Sequence, residues 1–205
     1  FAKQTQDAAL ISICAKDGQR LSWTLQGQRQ GIPANVKSHK LRAQADEDAK
    51  RADFSKVETS LTYEEILPDT DLICHLQSMR FKDEIVLKTP QAPHLLQLNL
   101  VPEDVELAIE ADGTVLALDN RMAQHKQDAQ AERQTVFVMP AAFMRDNEGR
   151  IGKVKTELIQ DHHQARMILI CDEDFLAHAA YPVVIDPLVE TVQHSSTMED
   201  NYVTS

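Results

Sequence analysis

The chain has 205 residues and a formal net charge of −11, from 21 basic and 32 acidic residues, with 42% apolar and 26% charged positions. That composition fits one large globular domain or two small ones, with enough apolar surface to fold without disulfide bridges. It excludes the clustered Lys and Arg of a nucleic-acid or anionic-lipid footprint, and no apolar run reaches the roughly 18 residues of a membrane helix.

In chain order the dominant period is two. Residues 8–14 and 21–25 are apolar or alternating runs around Asp17-Gly18, the signature of a hairpin. Residues 41–52 are rich in Ala and charge and read as an exposed insertion with helical tendency. Strand patterns follow at 57–63, 72–76, 84–87 and 94–101. Residues 107–110 and 115–118 flank Asp112-Gly113, a second hairpin. Residues 121–133 form a second insertion like the first. Strands resume at 135–139, 153–160 and 164–171, with His162-His163 at a hairpin tip. Asp172 is placed to cap one or two helical turns over 173–179, and 181–185 is a β-branched strand.

A dozen short strands without intervening helices predict an all-β fold, an antiparallel β-sandwich with a few short helical turns. Residues 1–190 form one module, and 191–205 a linker and the start of a following one. The chain begins at Phe1 without a leader, so a fragment or a processed product is expected. The expected core is Leu10, Ile13, Leu21, Trp23, Leu25, Leu96, Leu98, Leu158, Ile168, Ile170, Val183 and Ile185.

Candidate chemistry is sparse. Asp69 and Asp71 follow Pro68 too closely to oppose each other across a substrate. They read as turn residues capping backbone N–H groups two positions on. His162 and His163 would point to opposite faces if on a strand, with no further zinc ligands near in sequence. Cys74 and His75 are strand neighbours and so are not set for a nucleophile–base pair. Cys14, Cys74 and Cys171 read as buried reduced thiols, with one disulfide plus a free thiol as the alternative. Trp23, with Tyr63 and Tyr181, is the only economical aromatic set for a sugar platform, and its alternation with Leu21 and Leu25 turns Trp23 inward. Phosphate-cradling, metalloprotease and serine-hydrolase motifs are absent, and six glycines leave little for a backbone cradle. No catalytic, cofactor-binding or metal residue is assigned.

Four elements in order carry a resemblance. They are Leu61-Thr62-Tyr63 running through Pro68 and Asp71-Leu72; Phe81-Lys82-Asp83-Glu84-Ile85-Val86-Leu87; Phe137-Val138-Met139-Pro140 with Met144 and Asp146; and Tyr181-Pro182-Val183-Val184-Ile185-Asp186-Pro187. Over roughly residues 8–190 the chain resembles the β-rich region preceding DNRLRE-domain modules and Rhs/YD-repeat shells in large wall-associated or secreted bacterial proteins. Residues 198–203 look like the first strand of a following DNRLRE module. The resemblance implies an extracellular or wall-linked β module within a longer polypeptide, and supplies no catalytic residue.

Three functions follow as expectations. The first is a non-enzymatic structural or presentation module of a modular surface or secreted protein, whose partners are the neighbouring domains of the same polypeptide. The second is a module binding a glycan or wall polymer. The third is a hydrolase using carboxylates from distant loops, among them Asp69, Asp71, Glu84 and Asp186.

Overall fold

The computed structural model describes residues 3, 5, 9–15, 17–40, 57–77, 80–121, 134–161, 164–186 and 190–191. Of these residues about 61% are in strands and about 4% in helix, so the fold is all-β. The strands are β1 (Ile11–Cys14), β2 (Arg20–Leu25), β3 (Asn35–Lys40), β4 (Val57–Leu67), β5 (Thr70–Gln77), β6 (Arg80–Leu87), β7 (Leu95–Glu103), β8 (Val105–Ile109), β9 (Val115–Asp119), β10 (Thr135–Met139), β11 (Phe143–Arg145), β12 (Ile151–Gln160), β13 (Ala165–Cys171), β14 (Val183–Asp186) and β15 (Glu190–Thr191), with one helix, α1 (Glu173–His178), between β13 and β14. The layers are unequal. One curled antiparallel sheet has eleven strands in the order β1-β2-β7-β13-β12-β11-β14-β6-β5-β4-β3, and a small sheet has the order β15-β10-β9-β8.

Alternation sets which side chains face inward. On β7, Leu96, Leu98 and Leu100 are buried while Leu95 and Val101 are exposed. Both Asp-Gly hairpins form, with Gly18 at φ 99° and Gly113 at φ 95°, a region only glycine enters freely. Trp23 is buried and packs on Phe81 with ring centroids 6.0 Å apart.

The expected core holds at Leu10, Ile13, Leu21, Trp23, Leu25, Leu96, Leu98, Val183 and Ile185. Leu158 is partly buried against it. Ile168 and Ile170 are a correction: β13 buries Ala165, Met167, Leu169 and Cys171 instead. Met167-Ile168-Leu169-Ile170 is apolar at every position, so the run carries no phase of its own. Pairing with β7 sets it, by placing Met167 opposite Leu98 and Leu169 opposite Leu96.

The helix begins as the sequence indicates. The Asp172 carboxylate accepts the N–H groups of Asp174 (3.0 Å) and Phe175 (3.2 Å). Phe175 then lies against Gly152, where a Cβ would come within 2.5 Å of the ring. Strands β3, β11 and β15 had no alternation to announce them. β15 pairs with β10 through Thr191↔Phe137, one residue beyond the expected end of the module. The insertions at 41–52 and 122–133, the His162-His163 tip and residues 192–205 lie outside the described residues. Arg121, the first residue of the second insertion, is described and anchored: it donates to Asp119 and to the Asp17 carbonyl.

Candidate functional site

The eleven-stranded sheet gathers four ionisable groups on the outward face of β5, β6 and β14. Register places His75 opposite Lys82 and Ile73 opposite Glu84, and Ile185 opposite Ile85 puts Asp186 beside Glu84. Lys82 Nζ donates to Asp186 Oδ2 at 2.7 Å and to Glu84 Oε1 at 2.9 Å, and His75 Nε2 lies 3.3 Å from Glu84 Oε2. Burial works to raise the Glu84 carboxyl, but the hydrogen bond and charge of Lys82, with His75 behind them, outweigh it and hold the group below its ordinary value. Burial likewise works against the Lys82 ammonium, and its bonds to Asp186 and Glu84 hold its pKa above the ordinary value. Lys82 and Glu84 therefore hold each other in the charged form.

Asp186, which ends a β-branched run just before Pro187, reads in the sequence as a cap for backbone N–H groups at the chain's exit; the structure gives its carboxylate a different partner. Its Oδ2 takes Lys82, and its buried Oδ1 has no hydrogen-bond partner among the described residues. β14 is paired on both sides, by β11 and β6, so the ladder engages its own backbone groups; residues 187–189, the chain's exit, lie outside the described residues.

Asp69 and Asp71 belong to a separate group at the β4–β5 turn. Asp69 occupies the turn at φ 53°. Asp71 Oδ1 accepts the Glu65 N–H at 2.7 Å and Lys88 Nζ at 3.0 Å. Asp71 thus caps a donor six residues back, rather than two residues on. The irregular register between Tyr63 and Leu67 puts Glu65 at φ 54° and leaves its N–H outside the ladder. Lys88 also contacts Glu65, whose carboxyl is held below its ordinary value mainly by that bond.

Asp146 was quoted in the sequence only as part of a motif, yet its carboxylate accepts four hydrogen bonds, as does that of Asp119. Oδ1 accepts the N–H groups of Glu148 (3.0 Å) and Arg150 (2.9 Å), and Oδ2 accepts Arg150 Nε (2.8 Å) and the Ala180 N–H (3.0 Å). Burial works to raise this carboxyl. The Ala180 and Arg150 bonds prevail and bring it to about 2. It fixes the β11–β12 hairpin to the connection entering β14. Asp119 is also brought to about 2, mainly by Arg121, and it accepts Gln19 Nε2 at 2.7 Å.

The thiols are unpaired: Cys74 and Cys171 are buried, but Cys14 is exposed, contrary to expectation, because it ends the edge strand β1. Burial pushes the Cys171 thiol up to about 12 and that of Cys74 well above its ordinary value, which removes both as nucleophiles. Tyr63 is fully buried and Tyr181 half-buried, so with Trp23 they form no exposed platform. Among the described residues no cluster of three or more His, Cys, Asp or Glu is arranged to hold a metal, and no helix is long and apolar enough to cross a membrane.

A concave region lies on another part of the described surface. Three open grooves, of about 370, 310 and 700 Å³, meet at Gln26 on the outward side of β2 and β7. None is lined by Asp69, Asp71, Glu84 or Asp186. Comparison with protein-family models, with curated proteins and with solved structures finds no match to this chain.

Proposed function

We propose that this chain is a non-enzymatic structural and presentation module of a large modular bacterial cell-surface or secreted protein. The observation that carries this reading is the work done by the residues of the resembling motifs. Tyr63, Leu72, Ile85 and Met144 are core. Asp71 caps the β4 irregularity, Asp146 ties a hairpin to the chain entering β14, and Lys82 joins Glu84 to Asp186 across β6 and β14. A motif whose members hold strands together suits a spacer. A hydrolase would instead need a carboxylate pair with separated pKa values facing a cleft. Glu84 and Asp186 share one cation on an outward face, and Asp69 and Asp71 sit in a different group.

The reading is tested in the source organism with antibodies raised against the isolated module. Labelling of intact cells, or recovery of the antigen from the culture medium or wall fraction, is the expected result. Antigen confined to the cytosolic fraction overturns it.

A further inference from the structure

We propose that the grooves meeting at Gln26 bind a neutral, polyhydroxylated polymer, a glycan chain without charged substituents. The inference goes beyond the presentation role and stands on geometry independent of it.

The first observation is a one-way relay of side-chain amides. Gln97 Nε2 donates to Asn99 Oδ1 at 3.0 Å, and Asn99 Nδ2 donates to Gln26 Oε1 at 3.0 Å. The relay couples the orientations of the three amides, so that none turns over without the others. It leaves the side-chain oxygen Oε1 of Gln97 as an acceptor at one end and the side-chain NH₂ of Gln26 as a donor at the other, neither taken by a described residue. A sugar hydroxyl both donates and accepts, so neighbouring hydroxyls match such a pair.

The second observation is rigidity. Gln28 Oε1 accepts the Leu25 N–H at 2.9 Å, and Gln28 Nε2 donates to the Thr5 carbonyl at 3.0 Å. The Gln26 backbone N–H donates to the Gln97 backbone carbonyl at 2.8 Å. The loop carrying Gln26 is thereby held to β7 before any ligand arrives, which lowers the ordering cost of binding.

The third observation is charge. On a chain of net −11, the three grooves are lined by one acid, Asp161, and one base, Arg166. A phosphate-bearing polymer would find a single cation there, and a polycation would find stronger acidic ground elsewhere. Leu95 and Val101, 57% and 48% exposed, flank the amides with Pro68 and Pro93. They offer aliphatic surface to the C–H face of a sugar ring. Because the grooves join at Gln26, they suit an extended chain better than a single sugar.

The test is titration of the isotopically labelled chain with maltohexaose, cellohexaose and N-acetylglucosamine hexamer to about 10 mM, sufficient to register a Kd near 1 mM. The expected result is a saturable shift of the side-chain NH₂ signals of Gln26, Gln97 and Asn99 with at least one of them. Asn99→Ala, which cuts the relay at its centre, weakens binding about tenfold or more. Gln26→Ala, at an exposed position, serves if Asn99→Ala fails to fold, and Val36→Ser on β3 leaves binding unchanged. No saturable shift with any of the three, shifts mapping to other residues, unchanged affinity in the folded relay variant, or stronger binding of heparin at the same grooves overturns the proposal.

Discussion

Two outward regions of the same sheet handle their polar groups in opposite ways. On β5, β6 and β14 the polar groups are ionisable and largely committed to one another: Lys82 bridges Glu84 and Asp186, and His75 reaches Glu84. On β2 and β7 they are neutral and partly uncommitted, since the amide relay of Gln97, Asn99 and Gln26 ends in a free acceptor and a free donor. The first arrangement spends its polarity on joining strands. The second keeps some for a ligand. Polarity on a β face is thus no guide to function until each atom's partner is counted.

The largest expected effect concerns what lies behind the amide face. Leu169 is 1% exposed, whereas Ile168 points outward beside Gln97. Leu169→Asp buries an unpaired charge at a cost of several kcal/mol against a total stability of about 5–15 kcal/mol, and is expected to unfold the domain. Ile168→Asp is expected to stay soluble and melt cooperatively, at a cost of about 1 kcal/mol or less. Thermal melting of both variants checks the phase of β13; unfolding by Ile168→Asp alone would reverse it.

The same pair shows what was legible in the sequence. Strands were readable wherever alternation was clean, as in Leu96, Leu98 and Leu100, and turns wherever Asp-Gly or Pro-Asp marked them. β13 was readable as a strand but not in phase, because four successive apolar residues suit either face. β3, as Asn35-Val36-Lys37-Ser38-His39-Lys40, carries almost no apolar signal and exists through its pairing with β4. The site was less legible still. Lys82 and Asp186 lie 104 residues apart, and the amides at 26, 97 and 99 resemble ordinary surface residues until β2 and β7 are paired.

The contrast between the two faces sharpens under single substitutions. Lys82→Ala leaves Glu84 and Asp186 side by side, 16% and 10% exposed, without their cation. The cost is about 1–2 kcal/mol, held down because Lys82 itself is partly solvated. Asp186→Asn retains an acceptor for Lys82 and costs less. Asn99→Ala on the neutral face costs about 0.5 kcal/mol or less. Equal losses at Lys82 and Asn99 in urea titrations would erase the distinction between a joining face and an available one.

Acid should act on the charged ties and spare the neutral relay. Asp146 and Asp119 are both held at about 2 in the folded chain, against about 3.9 for an unfolded Asp, and Glu84 is held below its ordinary value. Carboxyls depressed by folding stabilise it fully above the unfolded pKa and lose that contribution as pH falls through the folded one. The melting temperature is therefore expected to change little through these groups from pH 7 to 5 and to fall between about pH 4 and 2. Asp146→Asn should flatten part of that fall. A melting temperature independent of pH down to 2 would mean that these carboxylates do not tie the fold.

The smallest expected effect lies at the end of the module. β15 pairs Thr191 with Phe137 and Glu190 with Val138, so it continues the small sheet past β14 and covers an edge of β10. Deleting residues 195–205 leaves that ladder in place and is expected to shift the melting temperature by about a degree or less. Deleting from residue 188 onward removes β15 and bares the β10 edge, at an expected cost of about 1 kcal/mol, or several degrees. If the shorter deletion already lowers the melting temperature by about 5 °C, residues 195–205 contribute to this fold. An end of the module near residue 190 would then be wrong.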